Sequence, residues 1–103
     1  MAKRKPVRML CVYRPKKGKE NDLFALVRRH WPALLAAGLA TAEPAIVYRA
    51  SDKRTHRQFF VEIFCWRDEQ ASATAHQTSA VRAIWDPMED ALEKMELAVI
   101  EEV

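Results

Sequence analysis

The run Phe59-Phe60-Val61-Glu62-Ile63-Phe64-Cys65-Trp66 is apolar throughout except for one carboxylate at its centre, Glu62. Side chains alternate along a strand, so Phe60, Glu62, Phe64 and Trp66 share one face and Phe59, Val61, Ile63 and Cys65 share the other. A strand apolar on both faces must be covered on both. A lone carboxylate among aromatic rings is costly to bury without a partner. Glu62 therefore marks either a polar pocket or a buried pair across an interface.

The rest of the chain supplies the layers. Val7 to Arg14 is predicted as the first strand, closed by Pro15 and a Lys-Lys-Gly turn. Asn21 is a candidate cap for a helix to about Ala37. Leu23, Phe24, Val27, Trp31, Leu34 and Leu35 give that helix an apolar face, Pro32 is expected to kink it, and Gly38 ends it. A strand from Ala45 to Ala50 and a polar loop from Ser51 to Arg57 lead into the strand Gln58 to Trp66. Asp68 caps a short helix through His76, and Thr78 or Ser79 starts a turn carrying Val81, Ile84 and Trp85. Asp86-Pro87-Met88-Glu89 reads as a fresh helix start, and Leu97 to Val103 as the last strand. This order is an α+β, ferredoxin-like βαββαβ domain over residues 7–103, with a four-stranded antiparallel sheet and a disordered basic tail over residues 1–6.

Charge and composition exclude several functions. Lys3, Arg4 and Lys5 account for the whole formal net charge of +3, which leaves no basic helix or stripe for nucleic acid. No apolar run reaches the roughly 20 residues of a membrane span, and no apolar signal core follows the basic tail. Cys11 and Cys65 both lie in strand-like runs and read as reduced core residues of a cytoplasmic protein, with a disulfide left open. With Gly18 and Gly38 the only glycines, there is no phosphate-cradling loop, so no cofactor is expected. No second ligand lies at a helical or finger spacing from His76, and neither His30 beside Trp31 nor His56 in the hairpin loop supplies one, so no metal is expected either.

Helices on one face leave the other face of such a sheet bare. If Val61, Ile63 and Cys65 pack beneath the helices, Phe60, Phe64 and Trp66 lie on the bare face, and a second copy of the chain is expected to cover them around a twofold axis. With this arrangement the chain resembles the dimeric α+β barrel superfamily, and within it the antibiotic-biosynthesis-monooxygenase-like (ABM) domains. The resemblance rests on the first strand ending in Arg14-Pro15-Lys16-Lys17-Gly18-Lys19-Glu20, on Phe60 to Trp66 after its hairpin, and on the helix ending in Ala75-His76. It spans roughly residues 7–103. The string Ala75-His76, Val81, Ile84-Trp85 and Pro87-Met88 resembles a branch of that group without assigned chemistry.

The resemblance implies a homodimer whose cavity is walled by Trp66 and binds a small apolar or aromatic ligand. Its known members include cofactor-free monooxygenases of polyketide-like aromatics and haem-degrading enzymes. The former carry asparagine four residues before the tryptophan, where this chain has Glu62. The latter carry asparagine near the position of Cys11. Two functions are therefore carried forward. One is a cofactor-independent monooxygenase or related enzyme, with Glu62 as base, His76 as accessory donor, and Trp66, Phe60, Phe64, Tyr13 and Cys11 around the substrate. The other is a non-catalytic small-ligand-binding dimeric module, in which Glu62 is ion-paired with an arginine such as Arg8 or Arg14 and His76 merely ends its helix.

Overall fold

A computed structural model describes residues 5–103. Most of the basic tail, including Lys3 and Arg4, lies outside the described residues, while Lys5 and Pro6 are exposed ahead of the first strand. The elements run β1 (Val7–Pro15), α1 (Glu20–Ala36), β2 (Ile46–Ser51), β3 (Gln58–Trp66), α2 (Ala71–His76), α3 (Ser79–Ala91) and β4 (Leu92–Val99). All pairings are antiparallel, and the strands lie in the order β2-β3-β1-β4. This is the ferredoxin-like α+β arrangement. Among the described residues no helix is long and apolar enough to cross a membrane.

In α1 the buried positions are Leu23, Val27, His30 and Leu34, spaced four, three and four residues apart. One stripe therefore faces the sheet, and it contains a histidine. The helix runs through Pro32, which gives up the bond to the Arg28 carbonyl. It ends as the glycine predicts. Gly38 has φ +73°, its N–H donates to the Leu35 carbonyl at 3.0 Å, and the Leu39 N–H donates to Leu34 at 2.9 Å. That double bond pattern is a Schellman cap, and the buried Leu34 and Leu39 close it hydrophobically.

Two boundaries differ from the sequence reading. The chain does not restart at Asp86-Pro87, because α3 passes through Pro87 unbroken. Val81, Ile84, Met88 and Ala91 are all buried at spacings of three and four, so one stripe stays in register across the proline, and its burial outweighs the lost bond to Ala83. The last strand starts at Leu92 rather than Leu97. Met95, Leu97 and Val99 alternate along an edge strand, and its pairing to β1 reaches back past the charged Glu93, Lys94 and Glu96 to Leu92.

The facing of β3 is the opposite of that expected. Register pairs Tyr13 with Phe60, Cys11 with Glu62, Met9 with Phe64 and Val7 with Trp66, and this row lies beneath the helices. Phe60, Glu62 and Phe64 are all at most 3% exposed. The bare face instead carries Leu10, Val12, Val61 and Ile63, flanked by Ile46 and Tyr48 on β2. Helix burial selects the row with the larger aromatic rings, and α1 supplies the polar partner that Glu62 requires. The expectation that Phe60, Phe64 and Trp66 lie on the uncovered face is thereby overturned.

The core can be tested at its helix stripe. Leu34→Ala should destabilise by about 2–5 kcal/mol, whereas Leu35→Ala, one residue along and partly exposed, should stay within about 0.5 kcal/mol. Urea midpoints compare the two directly, and equal losses would refute the assigned stripe.

Candidate functional site

Glu62 lies at the centre of β3 with its side chain wholly buried. Its Oε1 accepts the Tyr13 hydroxyl at 2.7 Å and meets His30 Nδ1 at 2.8 Å. The far side of the imidazole is also engaged: the Trp85 indole N–H donates to His30 Nε2 at 2.8 Å. An indole nitrogen can only donate, so Nε2 is bare and Nδ1 carries the proton. His30 is therefore a neutral imidazole that donates to Glu62. The buried Cys11 thiol lies next to Tyr13 on the same face of β1. The result is one polar chain, Tyr13–Glu62–His30–Trp85, crossing β1, β3, α1 and α3.

The arginine pairing expected for a structural Glu62 is not what the fold builds. Arg8 pairs with Glu43 at 3.1 Å and Arg14 with Glu96 at 3.0 Å. Both arginines alternate onto the bare face of β1, on the other side of the sheet from the carboxylate. Nor does Glu62 itself open into a cavity. Its Oε2 is buried and has no hydrogen-bond partner.

The cavity lies beside this chain, between the sheet and helices α2 and α3, with a volume of about 440 Å³. Its walls include Cys11, Tyr13, His30, Phe64, Trp66, Trp85 and Met88, and Met95 and Leu97 flank it from the edge strand. Phe64 stands edge-on to both His30 (5.5 Å between centroids) and Trp66 (5.0 Å). His76, at the end of α2, is exposed, lines the cavity and packs edge-on against Trp85 at 4.7 Å. Glu89, Glu93 and Lys94 add charge to its lining.

Of the residues singled out by sequence, Trp66, Phe64, Tyr13, Cys11 and His76 converge on this space. Glu62 sits behind them. Phe60 does not line the cavity; its ring stacks on Phe24 at 5.1 Å. The residues that sequence reasoning missed are His30 and Trp85. His30 had a signal, since it falls in the stripe Leu23–Val27–Leu34, where an apolar residue is the default.

The chemistry open to these groups is proton transfer rather than nucleophilic attack. Burial pushes the Cys11 thiol up to about 12, with the nearby Glu62 charge adding to it, so little thiolate forms at neutral pH. Burial, followed by the charge of Glu62, holds the Tyr13 phenol well above its ordinary value. Cys65, on the bare face, is a free thiol like Cys11. Among the described residues no group of three or more His, Cys, Asp or Glu side chains is placed to hold a metal ion.

The raised acids of Cys11 and Tyr13 make an alkaline prediction. Both bind their protons more tightly in the folded chain than in the unfolded one, so their stabilisation is complete below pH 9.0 and is lost as pH climbs toward 12. Each group contributes at most about 1.4 kcal/mol per pH unit within its window. Urea melts across that range should show the loss becoming shallower in Tyr13→Phe and in Cys11→Ala. Unchanged slopes in both variants would contradict the assignment.

Comparison with known proteins adds the fold's relatives. No protein-family model matches the chain, and no curated protein matches it. Solved structures do. A mutant of SnoaB, a cofactor-independent oxygenase from Streptomyces nogalater, aligns with TM-score 0.69 at 9% identity, covering 94% of this chain and 92% of its own. Rv0793 from Mycobacterium tuberculosis aligns with TM-score 0.70 at 12% identity over 96% of both chains. A protein described as an antibiotic biosynthesis monooxygenase aligns with TM-score 0.67 at 13% identity, over 94% of this chain and 98% of its own. What is shared at such identities is architecture: the chain has the ferredoxin-like α+β fold of these structures.

Proposed function

We propose that the chain is a cofactor-independent monooxygenase acting on a small aromatic or polyketide-like molecule. The observation that carries this reading is the contact between an aromatic-walled cavity and a buried hydrogen-bonded chain centred on a carboxylate. Such a cavity excludes water and favours loss of a proton from an activated ring methylene. The substrate carbanion then reacts with dioxygen itself. One oxygen atom remains as the new ketone, and the other leaves as water with the second methylene hydrogen and the first proton. In this scheme Trp66 and Phe64 stack the substrate, and His76 donates at the cavity mouth. Glu62 acts through its partners and not by direct contact, which revises its role as a free base. Free thiols at Cys11 and Cys65 suit the reducing cytoplasm in which we place the protein.

One observation favours a second reading. Both nitrogens of His30 and Oε1 of Glu62 already have partners, as a binding module that never ionises its ligand would allow. Oxygen uptake separates the two. With anthrone as substrate, after chelator treatment and without added flavin, the monooxygenase reading expects one dioxygen consumed per ketone formed. Glu62→Gln should cut that rate at least about tenfold while ligand affinity is retained. Binding without uptake above the autoxidation rate would leave only the module.

We further propose that two copies associate through their bare sheet faces. Leu10, Val12, Val61 and Ile63 form an apolar centre there, with Ile46 48% and Tyr48 54% exposed beside it. A patch of this kind is stabilised by self-association around a twofold axis. Light scattering at micromolar concentration should give twice the 11.9 kDa chain mass, and Ile63→Glu should halve it. A monomeric parent chain would remove this proposal and leave the cavity, which faces the other way, untouched.

A further inference from the structure

His30 and Tyr13 both reach the cavity and the carboxylate, and of the two only His30 offers a basic nitrogen. His30 lines the cavity, and its Nδ1–H donates to Glu62 Oε1. Glu62 fixes the tautomer in this way, leaving the lone pair on Nε2. That lone pair is not free. The half-buried Trp85 holds its indole N–H on it at 2.8 Å, and the indole's other neighbour is the exposed ring of His76. The cap is thus a single neutral hydrogen bond from a side chain at the cavity wall.

Behind the imidazole, Glu62 is wholly buried with Oε2 unpartnered. Two donors on one oxygen stabilise a carboxylate, yet a lone anion remains under the sheet beside a neutral ring. A proton delivered to Nε2 converts that anion into a neutral ion pair, which is the arrangement of least electrostatic cost in a dry interior.

We propose that His30 Nε2 is the proton acceptor of the cavity, and that the Trp85 indole caps it until a weakly acidic aromatic hydroxyl, a phenol or enol, takes the indole's place. The inference rests on reading this cavity as the ligand site. The step balances without an oxidant or reductant: the ligand O–H bond breaks, an N–H bond forms at Nε2, and the electron pair stays on the ligand oxygen as phenolate or enolate. His30 is the catalytic residue of this step, and Glu62 is a positioning residue that selects which nitrogen is basic. The stacked walls Phe64, Trp66 and Trp85 select a flat ligand.

The test uses 4-nitrophenol, whose phenolate absorbs visibly, at a pH where the free probe is mostly neutral. The folded parent chain should bind it as the phenolate and shift the Trp85 indole N–H resonance. His30→Gln should retain binding but hold the neutral phenol. Glu62→Gln should lower the ionised fraction at least about tenfold with little change in affinity for the neutral form. Trp85→Phe should ionise the probe and bind it up to about tenfold more tightly, because no cap has to be displaced. This variant provides the test if His30→Gln does not fold. Binding as neutral phenol with an unmoved indole signal, ionisation that survives in His30→Gln, or unchanged affinity in Trp85→Phe would each overturn the inference and leave the cavity as a ligand site. Absence of binding up to the solubility of the probe would overturn both.

Discussion

The carboxylate of Glu62, held beneath the helices by Tyr13 and His30, is the interaction on which the rest of the structure turns. An ionised carboxylate loses several kcal/mol of solvation on burial, and hydrogen bonds from neutral donors return about 1.5–3 kcal/mol each. Two such bonds from two different layers oblige the layers to meet in one register. β1 must place Tyr13 beside the carboxylate, and α1 must place His30 over it. The same demand explains why the aromatic row of β3 faces inward. On that side Tyr13 and His30 offer donors that are buried with it.

The cavity follows from this arrangement. Helix α1 packs on β3 and against α3, and the helix side of the edge strand β4 stays poorly covered, where Met95 and Leu97 remain about half exposed. The space beside them is walled by members of the polar chain and the aromatic rings next to it. In the function proposed above, binding and proton handling are adjacent without sharing residues fully: the aromatic walls Phe64 and Trp66 would touch the ligand, while the carboxylate would act from behind. A buried, net-charged dyad is held in place by the core at a cost in stability, a common relation between strained electrostatics and function.

Much of the fold is legible in the sequence. The turn at Lys16 to Lys19, the Gly38 cap and the hairpin before Gln58 each depend on a few local residues, and the first three strands and α1 fall near their predicted positions. The misreadings share a cause, since each needed information from another layer. Asp86-Pro87 is a restart signal by itself, but the Val81–Ile84–Met88 stripe overrides it. The charged stretch before Leu97 shows itself as strand only through its pairing with β1. The facing of β3 is undetermined locally because both of its rows are apolar. Glu62 was visible as an anomaly in an apolar strand, but its partner was not, because His30 is distant in sequence and presents itself only as a histidine in an apolar stripe. Those two oddities, a carboxylate in one apolar row and an imidazole in another, point to each other once they are read together.

The most direct measurement is the tautomer of His30 in the unliganded protein, read from the ¹⁵N resonances of its ring by NMR at neutral pH. The account predicts a neutral imidazole with the proton on Nδ1 and a bare Nε2 coupled through a hydrogen bond to the Trp85 indole. A proton on Nε2, in either the opposite tautomer or the imidazolium, would contradict it.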